Sequence, residues 1–291
     1  SDINVLEEGR EYSAYISITG GGKTMWSKAV TLTENGTFVV PVLSESVSLA
    51  DFPSGEYTIS AVLSGENAGS AAKTFWVTNV ADMPRVSGTV YQYGLSDEVI
   101  GVYKSYGASV VEYSGQAVPE KSTILIGRTP GKSVLDAAYA AAQEGGCHVV
   151  GVTAEALGGD AYTYGSLPFE DKVAVSTTQN WLYHSDSVLY DTALTQGLQT
   201  GGLVDPLYYE DIYNAKYYQL KTTPDEIHCV QMLLGDDATT NNYTLLYGIK
   251  CGTYNWGSGY ITVNTFDLAE GAGSPAADRL LVNLANYLGG K

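Results

Sequence analysis

The spacing of apolar residues changes once along this 291-residue chain, and that change limits what it can fold into. Over residues 10–77 the period is two. The runs EYSAYISITG, KAVTLTE, GTFVVPVL, GEYTISAVLSG and KTFWVT alternate apolar with polar side chains, with turn signals at Gly20-Gly21-Gly22, Asn35-Gly36 and Ser54-Gly55. Strands this short bury one face each and need a second layer to cover it, which predicts an immunoglobulin-like β-sandwich over residues 1–80. No Cys pair is present there to bridge two sheets.

Residues 78–87, TNVADMPRVS, lose the alternation and carry Pro84, as a linker does. From there the order is strand (88–93), helix (96–106), strand (109–113), strand (122–127), helix (133–144), strand (147–153). Strands interleaved with helices imply βαβ units and a mostly parallel sheet, so residues 81–291 are predicted to form a doubly wound, flavodoxin-like α/β domain. Ile124-Leu125-Ile126 and Val149-Val150-Gly151-Val152 are continuous apolar runs, as strands covered on both faces require. Residues 160–221 are irregular and rich in tyrosine, and read as a long insertion over the sheet edge or a surface. Two further strands, 226–234 and 243–250, join around GDDATTNN, and 260–266 reads as one more. The chain then closes on a helix. Ser274 can cap its first turn, Pro275 at the first helical position lacks only an N–H that would be unpaired, and Ala277, Leu280, Leu281, Leu284 and Leu288 share one face.

That closing phrase, GSGYITVNTFDLAEGAGSPAADRLLVNLANY, resembles the end of the amidotransferase-like domains that follow the catalytic module in family 2 glycoside hydrolases and related β-galactosidases. AYISITGGGKTMWSKAVTL with SGEYTISAVL resembles the immunoglobulin-like sandwich appended to the same enzymes. The resemblance covers about nine tenths of the chain and is least specific over the tyrosine-rich insertion. It implies a setting in carbohydrate breakdown and a partner in the catalytic glycosidase module of the same protein, but carries over no catalytic residue. The family's catalytic residues lie in a (β/α)8 barrel of about 250 residues. Only about 210 residues follow position 80 here, in a different order. The chain is therefore expected to be a C-terminal fragment or a separate accessory chain.

Charge narrows the partners. Fifteen basic against 32 acidic side chains give a formal −17, which repels nucleic-acid phosphates and anionic lipid, and no stretch has the length of a bilayer-spanning helix. Low lysine content with many Tyr, Ser, Thr and Gly residues suits an exported protein, extracellular or periplasmic. A homo-oligomer is compatible with all of this. Cys147, Cys229 and Cys251 make an odd count, so at least one thiol is free or pairs between molecules. Cys229 and Cys251 flank a hairpin and could bridge in an oxidising compartment; two reduced, packed cysteines are the favoured reading.

Candidates for chemistry are few. An amidotransferase needs a nucleophilic Cys on a sharp strand-to-helix turn, with a His and a carboxylate to activate it. Cys147, in EGGCHVVGV, opens a strand instead, with His148 directed to its opposite side. The elbow position, Thr153-Ala154-Glu155-Ala156, holds no thiol. No catalytic residue and no cofactor are therefore assigned. His184 and His228 lack metal-ligand spacing, and no metal is implied. Glu210-Asp211 among aromatics is the most suggestive carboxylate pair for a glycosidase, but adjacent residues rarely share a cleft floor, and a solvated turn is preferred. Asp236-Asp237 with Asn241-Asn242 reads as a polar turn before a calcium loop. Gly127 to Ser133 ends in Lys-Ser as a phosphate-binding loop does, but only three residues separate its glycines where that loop has four; a turn capping the next helix at Ser133 suffices. Exposed aromatic rings remain. Trp181, Tyr208, Tyr209 and Trp256 are the candidates for stacking on a polysaccharide, while Trp26 and Trp76 read as core. The function expected is a non-catalytic accessory region of a glycoside hydrolase, with a carbohydrate-binding module or a self-standing hydrolase or amidotransferase as rivals.

Overall fold

The structure, a computed structural model, describes residues 7–33, 41–64, 69–157, 165–177, 186–237, 242–287 and 289. It is rich in β-strand and divides into two units, Ser1–Asp82 and Met83–Lys291.

In the first unit, β1 (Glu11–Gly20), β2 (Lys23–Thr33), β3 (Gly55–Ser64) and β4 (Gly69–Val77) form an antiparallel sheet in the order β2-β1-β3-β4. The β1–β2 turn is two glycines, Gly21 and Gly22, both with positive φ (56° and 75°), the requirement of a hairpin turn whose twist matches its strands. Period two places Tyr12, Ala14, Ile16 and Ile18 on one face, beside Leu32 and Tyr57, with Ser13, Tyr15 and Ser17 on the other. Among the described residues no second sheet covers the apolar face. Leu43, Val47 and Phe52, from the irregular segment that precedes β3, pack against it. Of the expected strand GTFVVPVL, residues 36–40 lie outside the described residues and 41–43 are not in a strand.

The second unit is built on β5 (Thr89–Tyr93), α1 (Asp97–Ser105), β6 (Ser109–Glu112), β7 (Thr123–Ile126), α2 (Lys132–Gly145), β8 (His148–Gly151) and α3 (Ala154–Leu157). The tyrosine-rich stretch, read from sequence as irregular, adds β9 (Gly165–Leu167), β10 (Glu170–Thr177), β11 (Ser187–Leu189), β12 (Gly202–Leu203) and β13 (Lys216–Gln219). The chain ends in β14 (Glu226–Asp237), β15 (Asn242–Trp256), β16 (Gly259–Asn264) and α4 (Pro275–Asn286). Five strands run parallel in the order β6-β5-β7-β8-β16. The antiparallel β15, β14, β11 and β12 extend the sheet beyond β16, and β13 pairs with β15 and β10. Helices cover both faces. Val99, Tyr103, Leu280, Leu281 and Leu284 of α1 and α4 pack on Val90, Leu125 and Val150. Leu135, Ala138 and Ala142 of α2 pack on Ile124, Val149 and Ile261. Burying each large aliphatic side chain contributes about 2 kcal/mol.

Caps set the helix ends. Ser96 accepts from the Val99 amide at 3.4 Å to start α1, and Ser274 accepts from Ala277 at 3.4 Å ahead of Pro275 in α4. Helix α2 departs from expectation: it starts at Lys132, and its N-cap is Gly131, with no side-chain bond.

Candidate functional site

In a doubly wound sheet, ligands sit beyond the carboxyl ends of the parallel strands, at the point where the strand order reverses. That point lies between β5 and β7, where the segments following the two strands close on each other. Gly127 donates its amide to Tyr93 O at 2.8 Å, and a Cβ on Gly127 would lie 2.6 Å from Gly94 O. Gly94, at φ 64°, has the Arg128 side chain against it, and the Arg128 guanidinium lies 5.6 Å from the Tyr93 ring centroid.

The next strand end is the β8–α3 turn, the elbow position of the sequence analysis. Thr153 donates its hydroxyl to Gly127 O at 3.0 Å, and Thr129 donates to Glu155 O at 2.5 Å, so both threonines bind main chain. Over the turn sits β13. Tyr218, 0% exposed, donates its hydroxyl to Ala154 O at 2.6 Å, with Asn264 O at 3.3 Å; burial, then the Glu155 carboxylate, raises that phenol well above its ordinary range. Asn264 spends its amide on Val152 O and Phe266 O. Lys216, two residues before Tyr218, reaches Glu155 at 3.2 Å and Asp267 at 3.5 Å. Burial works to lower its pKa, but the two carboxylates outweigh it and hold the ammonium above its usual range.

Beneath this ion pair lies Lys250 of β15, 0% exposed. Its ammonium donates to Asn214 O at 2.7 Å, Lys216 O at 2.8 Å and Asn214 Oδ1 at 3.3 Å, and faces the rings of Tyr213 and Phe266 at 5.2 and 5.6 Å. Burial lowers its pKa to about 8. Three donors meet three acceptors, so Lys250 clamps residues 213–216 over the strand ends. Neither Tyr218 nor Lys250 was singled out from sequence. A lone charge in the apolar run LLYGIKCG was the available signal for Lys250; nothing local marks Tyr218.

The cysteines are equally inert. Cys147 precedes β8 and is buried against α2, its thiol 3.6 Å from Pro119 O; burial pushes its pKa up. The His148 ring lies on the other face, 5.1 Å from the Tyr287 ring. Cys229 and Cys251 are opposite one another in the β14–β15 ladder, buried and unbridged; burial raises Cys229 to about 12 and Cys251 well above its ordinary range.

The aromatic candidates do not converge. Trp181 lies outside the described residues. Tyr209 is 1% exposed, bonds through its hydroxyl to Gln199 O at 2.5 Å and packs edge-on against Tyr208, both on the α1/α4 side of the sheet. Trp256 is half-buried on the α2 side, 6.0 Å from Phe169. Glu210 and Asp211 are exposed in a turn. His184 and Asn241 lie outside the described residues, and Asp236 and Asp237 end β14. No group of three or more His, Cys, Asp or Glu side chains placed to hold a metal ion occurs among the described residues.

One polar chain does cross the sheet interior. His148 Nε2 lies 2.7 Å from Thr262 Oγ1, which lies 2.7 Å from Thr253 Oγ1, which lies 2.8 Å from His228 Nε2. His228 Nδ1 continues to Thr192 Oγ1 at 2.8 Å, then to Thr195 Oγ1 at 3.2 Å, whose hydroxyl ends the chain on Tyr190 O at 2.6 Å. A carbonyl only accepts, so one polarity with both rings neutral satisfies every link. Burial agrees: it lowers His148, with help from His228, to about 3, and His228 to about 4.

No protein-family model matches the chain, and no curated protein matches it significantly.

Proposed function

We propose that this chain is a non-catalytic accessory region of a family 2 type glycoside hydrolase, an immunoglobulin-like β unit followed by a flavodoxin-like, amidotransferase-like domain without chemistry of its own. One observation carries the non-catalytic part: the turn after β8, where an amidotransferase of this class keeps its thiol, offers Thr153 and Glu155 and is sealed by Tyr218. The parallel order β6-β5-β7-β8-β16, which in chain order is 2-1-3-4-5, supports the flavodoxin-like assignment. The glycosidase setting rests on the sequence resemblance. Buried thiols of raised pKa are compatible with export to an oxidising compartment.

The test has two arms. Purified chain is assayed on chromogenic glycosides and on glutamine, where no turnover is expected; glutaminase activity abolished by Cys147→Ala would overturn the reading. The flanking gene sequence is also read for a family 2 barrel module, whose absence would count against the accessory role, and a barrel found there is co-expressed with the chain. Stoichiometric co-elution is expected, and independent elution of the two refutes the accessory role.

A further inference from the structure

A cleft of about 420 Å3, within the size range of small-molecule sites, opens at the opposite edge of the sheet, at the amino ends of β5 and β7 and beside the end of α4. Its walls are tied together. Thr123 donates to Ala285 O at 3.1 Å, Ser122 to Pro119 O at 2.7 Å, and the Asn286 amide to Arg85 O at 3.0 Å. Three lining side chains, Ser87, Thr89 and Lys121, have no hydrogen-bond or ionic partner among the described residues. Lys121 is also the one described non-glycine residue with a left-handed backbone, φ 59°, pinned by its amide to Gly145 O at 2.9 Å. Ser87, Thr89 and Lys121 are exposed, so their polar atoms are open to a ligand, and left-handed non-glycine backbone of this kind clusters at ligand sites.

The wall chemistry selects the ligand. Lys121, Ser87 and Thr89 offer donors. The end of α4 lies at the negative end of the helix dipole, and its Ala285 O, which accepts from Thr123, keeps a second lone pair. A multiply charged anion would meet one ammonium and be repelled by the helix end, and the cleft has no helix N-terminus to hold it. A neutral molecule rich in hydroxyls can both accept from the first wall and donate to the second.

We propose that this cleft binds a neutral polyol, of the monosaccharide class, between Lys121, Ser87 and Thr89 on one side and the α4 end on the other. The site is separate from the strand ends and stands whether or not the chain accompanies a glycosidase. Amide NMR titrations with glucose, galactose, mannose and myo-inositol, each to about 50 mM, test it, with phosphate and citrate at matched ionic strength as comparators. At least one polyol should saturate with a Kd in about the millimolar range and shift the Ser87, Thr89 and Lys121 amides. Thr89→Val should weaken it about tenfold. Lys121→Gly, which relieves the backbone strain while removing the ammonium, should weaken binding at an unchanged or higher Tm. The proposal is overturned if none of the four shifts these amides, if only the anions do, or if Lys121→Gly binds as well as the parent.

Discussion

Tyr218 and Lys250 decide what the carboxyl edge of the sheet can do, because both spend polar groups inside a dry interior on holding the covering segment down. Replacing Tyr218 by Phe leaves Ala154 O without its donor in a buried site and should cost about 1–3 kcal/mol; Tyr218→Ala adds a cavity and should cost about 3–5 kcal/mol. Urea midpoints measure both, and a Phe variant as stable as the parent would mean the hydroxyl clamps nothing. For Lys250, Met keeps the length but removes the ammonium. Lys216 O still accepts from Thr265 Oγ1 at 3.0 Å, whereas Asn214 O loses its donor, so Lys250→Met should cost about 1–3 kcal/mol and Lys250→Ala more. A neutral or stabilising Met variant would show that charge burial already outweighs the clamp.

Between elements, the segments that follow β5 and β7 close on each other at Gly94 and Gly127, the point where doubly wound sheets open a crevice. Gly127→Ala would force a methyl against the Gly94 carbonyl, and main chain cannot swing aside as a flexible side chain can. A loss of about 1–3 kcal/mol is expected, read as a lower Tm, whereas Ser274→Ala, which removes only a cap from α4, should cost about 1 kcal/mol. An unperturbed Gly127→Ala protein would mean the crevice can open. The two sites also show what a sequence carries. The start of α4 was legible because Ser274, Pro275 and the Leu280-Leu281-Leu284 stripe are local signals, and β7 and β8 because strands covered on both faces must be apolar throughout. The Tyr218 seal was not, because KYYQL has no spacing that names a partner 64 residues away in the chain. The reach of β14 and β15 was underread for a similar reason: Asp236, Asp237 and Asn242 look like turn residues yet pair in the ladder, since ladder bonds use main chain. In the first unit the alternation gave the apolar face but not its cover, because Leu43, Val47 and Phe52 come from a segment without regular structure.

At the scale of the whole molecule, buried titratable groups set the pH range over which the fold holds. Above neutrality, Lys250, lowered to about 8, gains stability as pH rises toward its unfolded value. Cys229, raised to about 12, and Cys251, raised in the same sense, lose it above about pH 9, so the thiols oppose the amine. On the acid side the two buried imidazoles dominate. Their pKa values are depressed, to about 3 and about 4, so below about pH 6.5 the unfolded chain binds protons that the folded chain refuses, and stability falls with pH until those folded values are reached. Asp278, raised by burial, works in the opposite sense but only within the carboxylate range. For His228 a depression from 6.5 to about 4 corresponds to about 3 kcal/mol, and His148, lowered by burial first and by His228 second, adds to it. His228→Gln keeps a donor and an acceptor between Thr253 and Thr192 but cannot titrate. Urea denaturation from pH 7 to pH 4.5 should therefore give a steep decline for the parent and a shallower one, by about 2–3 kcal/mol across the interval, for His228→Gln. Equal slopes would mean that His228 takes up its proton in the folded protein over the same pH range as in the unfolded chain.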